Sequence, residues 1–143
     1  MGRRVTPAEL ALLGLAPGAP LPVGGLIAQA TYETGNGSSG LYLPDLERLV
    51  GQPLHPGSFN LRLRLPLELP NARGATVLGA TWLLAPVVLS EDAVGFLARR
   101  QLDYAAMFGE VFSPVGLALA LGVSPGDTLA LRVLDGSQLR GAA

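Results

Sequence analysis

The chain has 143 residues and a formal net charge of −1, and all ten of its basic side chains are arginine. That length suits one domain with one core. A charge near zero, with no basic run beyond Arg3-Arg4 and Arg99-Arg100, argues against nucleic acid or an anionic membrane as a partner. The lack of cysteine excludes disulfides, thiolate zinc sites, iron–sulfur clusters and cysteine nucleophiles.

Arg3 and Arg4 precede an apolar stretch at 10–15, the outline of a short signal sequence, but Pro7 and Glu9 interrupt its start and Pro17 follows it. Thr6-Pro7-Ala8-Glu9 reads better as a capping box with proline in the first turn, which predicts a short helix over 7–13. No stretch reaches the length of a membrane span, and a soluble cytoplasmic protein is expected. Residues 14–25, rich in proline and glycine, read as a connector.

A strand is predicted at 26–32, a flexible glycine-rich loop at 35–40, and a short helix at 44–50 that Gly51 ends. Phe59, Leu61, Leu63 and Leu65 alternate with Asn60, Arg62 and Arg64, the period of a strand with one buried and one polar face. Further strands are predicted at 75–84, 87–89, 94–98, 110–112 and 128–134, separated by turn signals at 71–74, 90–92 and 124–127. Ser113 and Pro114 suit the cap and first position of a last helix closed by Gly122. Short strands at this spacing predict a mainly β fold, a small closed β-barrel with two or three short helices. The expected organisation is a helix and connector over 1–24, the barrel over 25–134 and a tail over 135–143.

Two blocks carry a resemblance. His55-Pro56-Gly57-Ser58-Phe59-Asn60-Leu61-Arg62-Leu63, preceded by Leu49-Val50-Gly51, is similar to a segment in which a helix ends in Leu-Gly and leads into aromatic-Pro-Gly-Thr-Leu-Asn. Glu110-Val111-Phe112-Ser113-Pro114, followed by Leu121-Gly122-Val123-Ser124-Pro125-Gly126-Asp127, is similar to a Glu-Ile-Ile-Ala-Pro block with a later Leu-Gly-Leu-Lys-Asp-Gly-Asp. Both belong to the CTP-dependent riboflavin kinases of archaeal type, which residues 25–134 resemble in order and approximate spacing. The resemblance implies a cradle-loop barrel that transfers a phosphoryl group from CTP, or another nucleoside triphosphate, to riboflavin, giving FMN with the help of Mg²⁺.

By the same resemblance, Ser58 and Asn60 fall on the magnesium ligands. A hydroxyl and an amide oxygen are hard neutral donors suited to that ion, and on a strand they share a face. Gly57 leaves room for a phosphate, and Arg62 could add a cation. Glu110 matches the acid that contacts the flavin and is the candidate catalytic group. Val115, Gly116, Leu117 and Ala118 match a segment that contacts the nucleotide through main-chain groups. Gly35, Asn36, Gly37, Ser38, Ser39 and Gly40 parallel the loop that wraps it. Leu102 occupies the place of a flavin-contacting threonine, with Arg99, Arg100, Asp103 and Tyr104 nearby to supply replacement contacts.

Each assignment has a plainer counterpart. Ser58 and Asn60 would equally be the polar face of a strand after a Pro-Gly turn, Glu110 a solvated acid on an edge strand, and His55 a turn residue. The absence of a Walker lysine motif argues against a P-loop kinase. Two other functions stay open at this point. One is a barrel that binds a flavin, nucleotide or other small ligand without turning it over, which Leu102 favours; the other is a structural or interaction module.

Overall fold

The computed structural model describes residues 3–35, 38–100 and 107–141. Among them, α1 (Pro7–Ala11) precedes β1 (Leu26–Glu33), α2 (Leu43–Val50) and β2 (Phe59–Leu63). The hairpin β3 (Arg73–Val77) and β4 (Ala80–Leu89) follows, then β5 (Ala93–Arg100), β6 (Phe108–Phe112), α3 (Leu117–Leu121) and β7 (Thr128–Val133). All strand pairs are antiparallel, in the order β4-β5-β6-β2-β1-β7, and β7 closes back onto β4. The chain therefore forms the expected small closed barrel, of six strands, with three short helices. The two halves of β4 have different partners: Ala80–Leu84 pair with β3, and Val87, Val88 and Leu89 pair with β7.

The alternation read from the sequence decides which side chains go inside. Phe59, Leu61 and Leu63 of β2 join Val87, Leu97, Val111 and Leu131 in the apolar cluster that fills the barrel. Intervening residues of β4, β5 and β6, among them Leu84, Val88, Phe96 and Phe112, form a second cluster on the outer wall, covered by Leu12 near α1 and by Leu46 and Val50 of α2. Burying one such side chain contributes about 1.5–3 kcal/mol, so two shared clusters hold the helices to the wall more firmly than helix propensity could. α2 presents Leu46 and Val50, one turn apart, to that wall, and ends at Gly51 in the left-handed region (φ 73°).

The first helix has the capping box expected of it. The Thr6 hydroxyl accepts from the Glu9 amide, and the Glu9 carboxylate accepts from the Thr6 amide. That carboxylate is fully buried and accepts also from Arg3 and from the Val94 amide, which pins the segment to the start of β5. Arg132 fixes the connector: its guanidinium donates to the carbonyls of Pro22 and Gly24 and pairs with Glu91. At the other end Leu139 joins the outer cluster, and the Arg140 amide donates to the Leu12 carbonyl at 2.7 Å. No helix among the described residues is long and apolar enough to cross a membrane.

Several local expectations are corrected. The strand expected over 75–84 is a hairpin, turning at Leu78 and Gly79, which both have positive φ (48° and 78°). Arg73 and Gly74, assigned to a turn, open β3, and the separate strand expected at 87–89 is the end of β4. β4 runs through Pro86 because the Pro86 carbonyl accepts from the Leu134 amide. The proline nitrogen faces that same side, just before β7 takes over as neighbour, so the β4–β5 ladder loses no donor. Finally, α3 starts three residues later than Pro114, with Gly116 as its cap. Ser113 is buried, and its hydroxyl donates to the Val94 carbonyl at 2.7 Å instead of capping the helix, since a buried hydroxyl needs a partner.

Candidate functional site

Ser58 immediately precedes β2 and Asn60 is its second residue, so both side chains leave the same face of the chain. The Ser58 hydroxyl donates to Asn60 Oδ1 at 2.9 Å. Before them, Gly57 turns the chain in the left-handed region (φ 92°), which few residues other than glycine accept. Adjacent ligands of an octahedral Mg²⁺ at 2.0–2.1 Å lie about 3 Å apart. The two oxygens thus fit one edge of that geometry, provided the hydroxyl hydrogen rotates away, and neither carries a charge that a phosphate would oppose. No cluster of three or more carboxylate or histidine groups exists among the described residues, so a competing metal centre of that kind is not found there.

Ser58 and Asn60 stand on the boundary between two clefts. The first, of about 440 Å³, is lined by Asn60, Glu110, Tyr42, Trp82, Arg99 and Arg100, and by Glu33, Thr34 and Gly35 at the end of β1. The second, of about 500 Å³, is lined by Tyr32, His55, Pro56, Gly57 and Ser58 on one side and by Ser113, Val115, Gly116, Leu117 and Ala118 on the other. The two sequence blocks therefore converge on one cavity. His55 carries its share of that contact as backbone: its amide donates to the Ser113 carbonyl at 2.8 Å. The His55 ring also lies against Gly116, where a Cβ would come within 3.0 Å of Nε2. No arginine lines the second cleft among the described residues, so a phosphate there would meet main-chain groups and hydroxyls.

Gly35 belongs to this site. A Cβ on it would fall 2.0 Å from Asn60 Nδ2 and 3.8 Å from Ser58 Oγ, so the backbone leaving β1 rests directly on the pair. Of the remaining loop residues, Ser38 and Ser39 begin a 3-10 turn with Gly40 and Leu41. Asn36 and Gly37 lie outside the described residues, as do Leu102, Asp103 and Tyr104.

Glu110 is placed differently from the edge-strand alternative. It is the middle residue of β6, an interior strand of the barrel wall, and pairs across to Asn60 on one side and Ala98 on the other. Directly opposed residues of antiparallel strands share a face, so amide and carboxylate project together. Ala98 leaves space beside Glu110. The Tyr42 hydroxyl donates to Glu110 Oε2 at 2.5 Å, and the tyrosine ring packs against Trp82, 5.0 Å away between centroids.

Arg62, the expected extra cation, is engaged elsewhere. It pairs with Glu33, and its guanidinium lies over the Phe108 ring, 4.2 Å from the centroid. Arg99 donates to the Leu67 carbonyl at 2.7 Å while lining the first cleft, and Arg100 stands exposed at its mouth.

Tyr42, Trp82 and Tyr32 are site residues that the motifs did not reveal. Tyr42 had one usable signal: an aromatic with a polar tip between a glycine-rich loop and the Leu43-Pro44 helix start. Trp82 had none, since it sits in a segment that reads as continuous strand.

Compared with known proteins, the chain matches no family model and no curated sequence.

Proposed function

We propose that this protein is a phosphotransferase that moves the terminal phosphoryl group of a nucleoside triphosphate, CTP by resemblance, to the ribityl hydroxyl of riboflavin, giving FMN. One observation carries the reading: Ser58 and Asn60, 2.9 Å apart, sit where two clefts meet, with both resembling sequence blocks lining one cleft and Glu110 lining the other. A reaction between two bound substrates needs such a junction, because holding them in line supplies much of the rate.

In this scheme the triphosphate occupies the cleft of Gly57, Val115, Gly116, Leu117 and Ala118, and the flavin occupies the cleft walled by Tyr42, Trp82 and Glu110. Ser58 Oγ and Asn60 Oδ1 would hold Mg²⁺, which supplies charge neutralisation on the phosphate oxygens. Gly35 lets the backbone close onto Asn60 without a side chain between them. Glu110 accepts the hydrogen bond of the attacking hydroxyl. The oxygen of that hydroxyl forms the new bond to phosphorus as the bond to the bridging oxygen breaks, the nucleoside diphosphate leaves, and the proton passes to the carboxylate and on to water.

Formation of FMN from riboflavin and Mg²⁺ with each of CTP, ATP, GTP and UTP tests the reading. Binding of riboflavin or nucleotide without turnover would favour a ligand-binding barrel instead.

A further inference from the structure

We propose, resting on the reading above, that Tyr42 is a positioning residue that sets the carboxylate of Glu110 for the attacking hydroxyl. The ring of Tyr42 is part of the core: the residue is 8% exposed, tilted against Trp82 at 5.0 Å and edge-on to Phe112 at 6.0 Å. The residue also lines the first cleft, and its hydroxyl donates to Glu110 Oε2 at 2.5 Å. A buried ring with its polar tip at a cavity wall leaves the hydroxyl little freedom to swing. A hydrogen bond to an ionised acceptor is short and strong compared with a neutral one. Glu110 is thereby held by an anchor that does not move with the substrate.

The position of Tyr42 along the chain ties this anchor to the Ser58–Asn60 pair. After β1 the backbone passes Gly35, in contact with Asn60, and it reaches α2 at Tyr42, in contact with Glu110. Asn60 and Glu110 are themselves paired across β2 and β6. Amide and carboxylate are thus each fixed by one end of the same short segment. A carboxylate free to rotate would spend most of its time off the line of the hydroxyl, and small misplacements at a reacting centre cost large factors in rate.

The test uses the full chain, with Tyr42→Phe, Glu110→Gln and the double variant assayed for FMN formation from riboflavin, Mg²⁺ and the nucleotide the wild type uses. Tyr42→Phe keeps the ring and its packing and removes one oxygen. The expected result is a fall in kcat of about tenfold or more with the KM for the nucleotide unchanged. The double variant should be no slower than Glu110→Gln alone, since the phenol acts through the carboxylate. Wild-type kcat in Tyr42→Phe, or losses that multiply in the double variant, would overturn the inference while leaving the kinase reading in place. A wild-type chain that forms no FMN with any of the four nucleotides would end the kinase reading and this role with it. Should Tyr42→Phe fail to fold, the ring packing would be shown to depend on the hydroxyl, and a purely core role for Tyr42 would replace the proposed one.

Discussion

Asn60 of β2 stands directly opposite Glu110 of β6, and their side chains leave the same face of the barrel wall. The amide is also held by Ser58 and crowded by Gly35, and the carboxylate by Tyr42, so the pair is fixed from three directions. Such an arrangement separates two kinds of loss. Removing the amide oxygen should matter to chemistry much more than to folding.

For Asn60→Ala the expected loss in FMN formation is on the order of a hundredfold or more, since one of two metal-positioning oxygens disappears. The cost in stability should be about 1 kcal/mol, that of one half-buried hydrogen bond. Urea unfolding of the variant beside its turnover separates the two; a variant that loses several kcal/mol would make Asn60 a structural residue.

Gly35→Ala should act through Asn60. The added methyl would sit 2.0 Å from Nδ2, so the amide or the backbone against it must shift. Turnover should fall by about tenfold or more, because a displaced ligand is a misplaced phosphate. Gly40→Ala is the control, since a Cβ there meets nothing within 4 Å. Equal turnover in both variants would remove Gly35 from the site.

Leu78→Asn should stabilise the fold by about 1 kcal/mol. Leu78 and Gly79 form the turn of the β3–β4 hairpin with both residues at positive φ, a geometry in which Asn-Gly is favoured and a branched aliphatic residue is strained. Leu78 is exposed, so no core contact is lost. A rise in Tm of a few degrees would bear this out, and a fall would show that Leu78 contributes contacts that outweigh its strain.

That same turn shows what sequence pattern conveys and what it hides. The strand of residues 59–63 was legible because its alternation reports directly which face is buried, and α1 and α2 because capping residues and glycine have fixed geometric roles. The β3–β4 hairpin was not, because Leu78 carries no turn signal and its conformation is imposed by the pairing around it. Pro86 hid the continuity of β4, since a proline is harmless in a strand only where its nitrogen faces away from the ladder, and that depends on partners distant in sequence. Ser113 was misassigned because a cap and a buried hydroxyl look alike until burial is known. Within the site, Ser58, Asn60 and Glu110 came from the motifs, whereas their joint placement with Tyr42 and Gly35 required the barrel to close.

Glu9 links folding to pH. Burial pushes its carboxyl up, but hydrogen bonds from Arg3, from the Thr6 and Val94 amides and from the Thr6 hydroxyl outweigh burial and leave it below the usual carboxylate range. A group depressed in the folded state stabilises fully above its unfolded value, about pH 4.3, and loses that contribution as pH falls through the lower folded value. Tm should therefore drop more steeply below about pH 4.3 in the wild type than in Glu9→Gln. At neutral pH, Glu9→Gln should be less stable by about 2–3 kcal/mol, because Arg3 and the buried amides lose their ionised acceptor. Parallel curves for the two proteins would show that Glu9 does not control the acid limb.

The most direct test of the two-cleft account is to follow labelled phosphate from the terminal position of CTP, in the presence of riboflavin and Mg²⁺, in the wild type and in Asn60→Ala. The account predicts label in FMN, dependent on Mg²⁺, at a rate reduced on the order of a hundredfold or more by the substitution. Label that never reaches riboflavin from CTP, ATP, GTP or UTP, or that reaches it equally fast without the Asn60 amide, would contradict it.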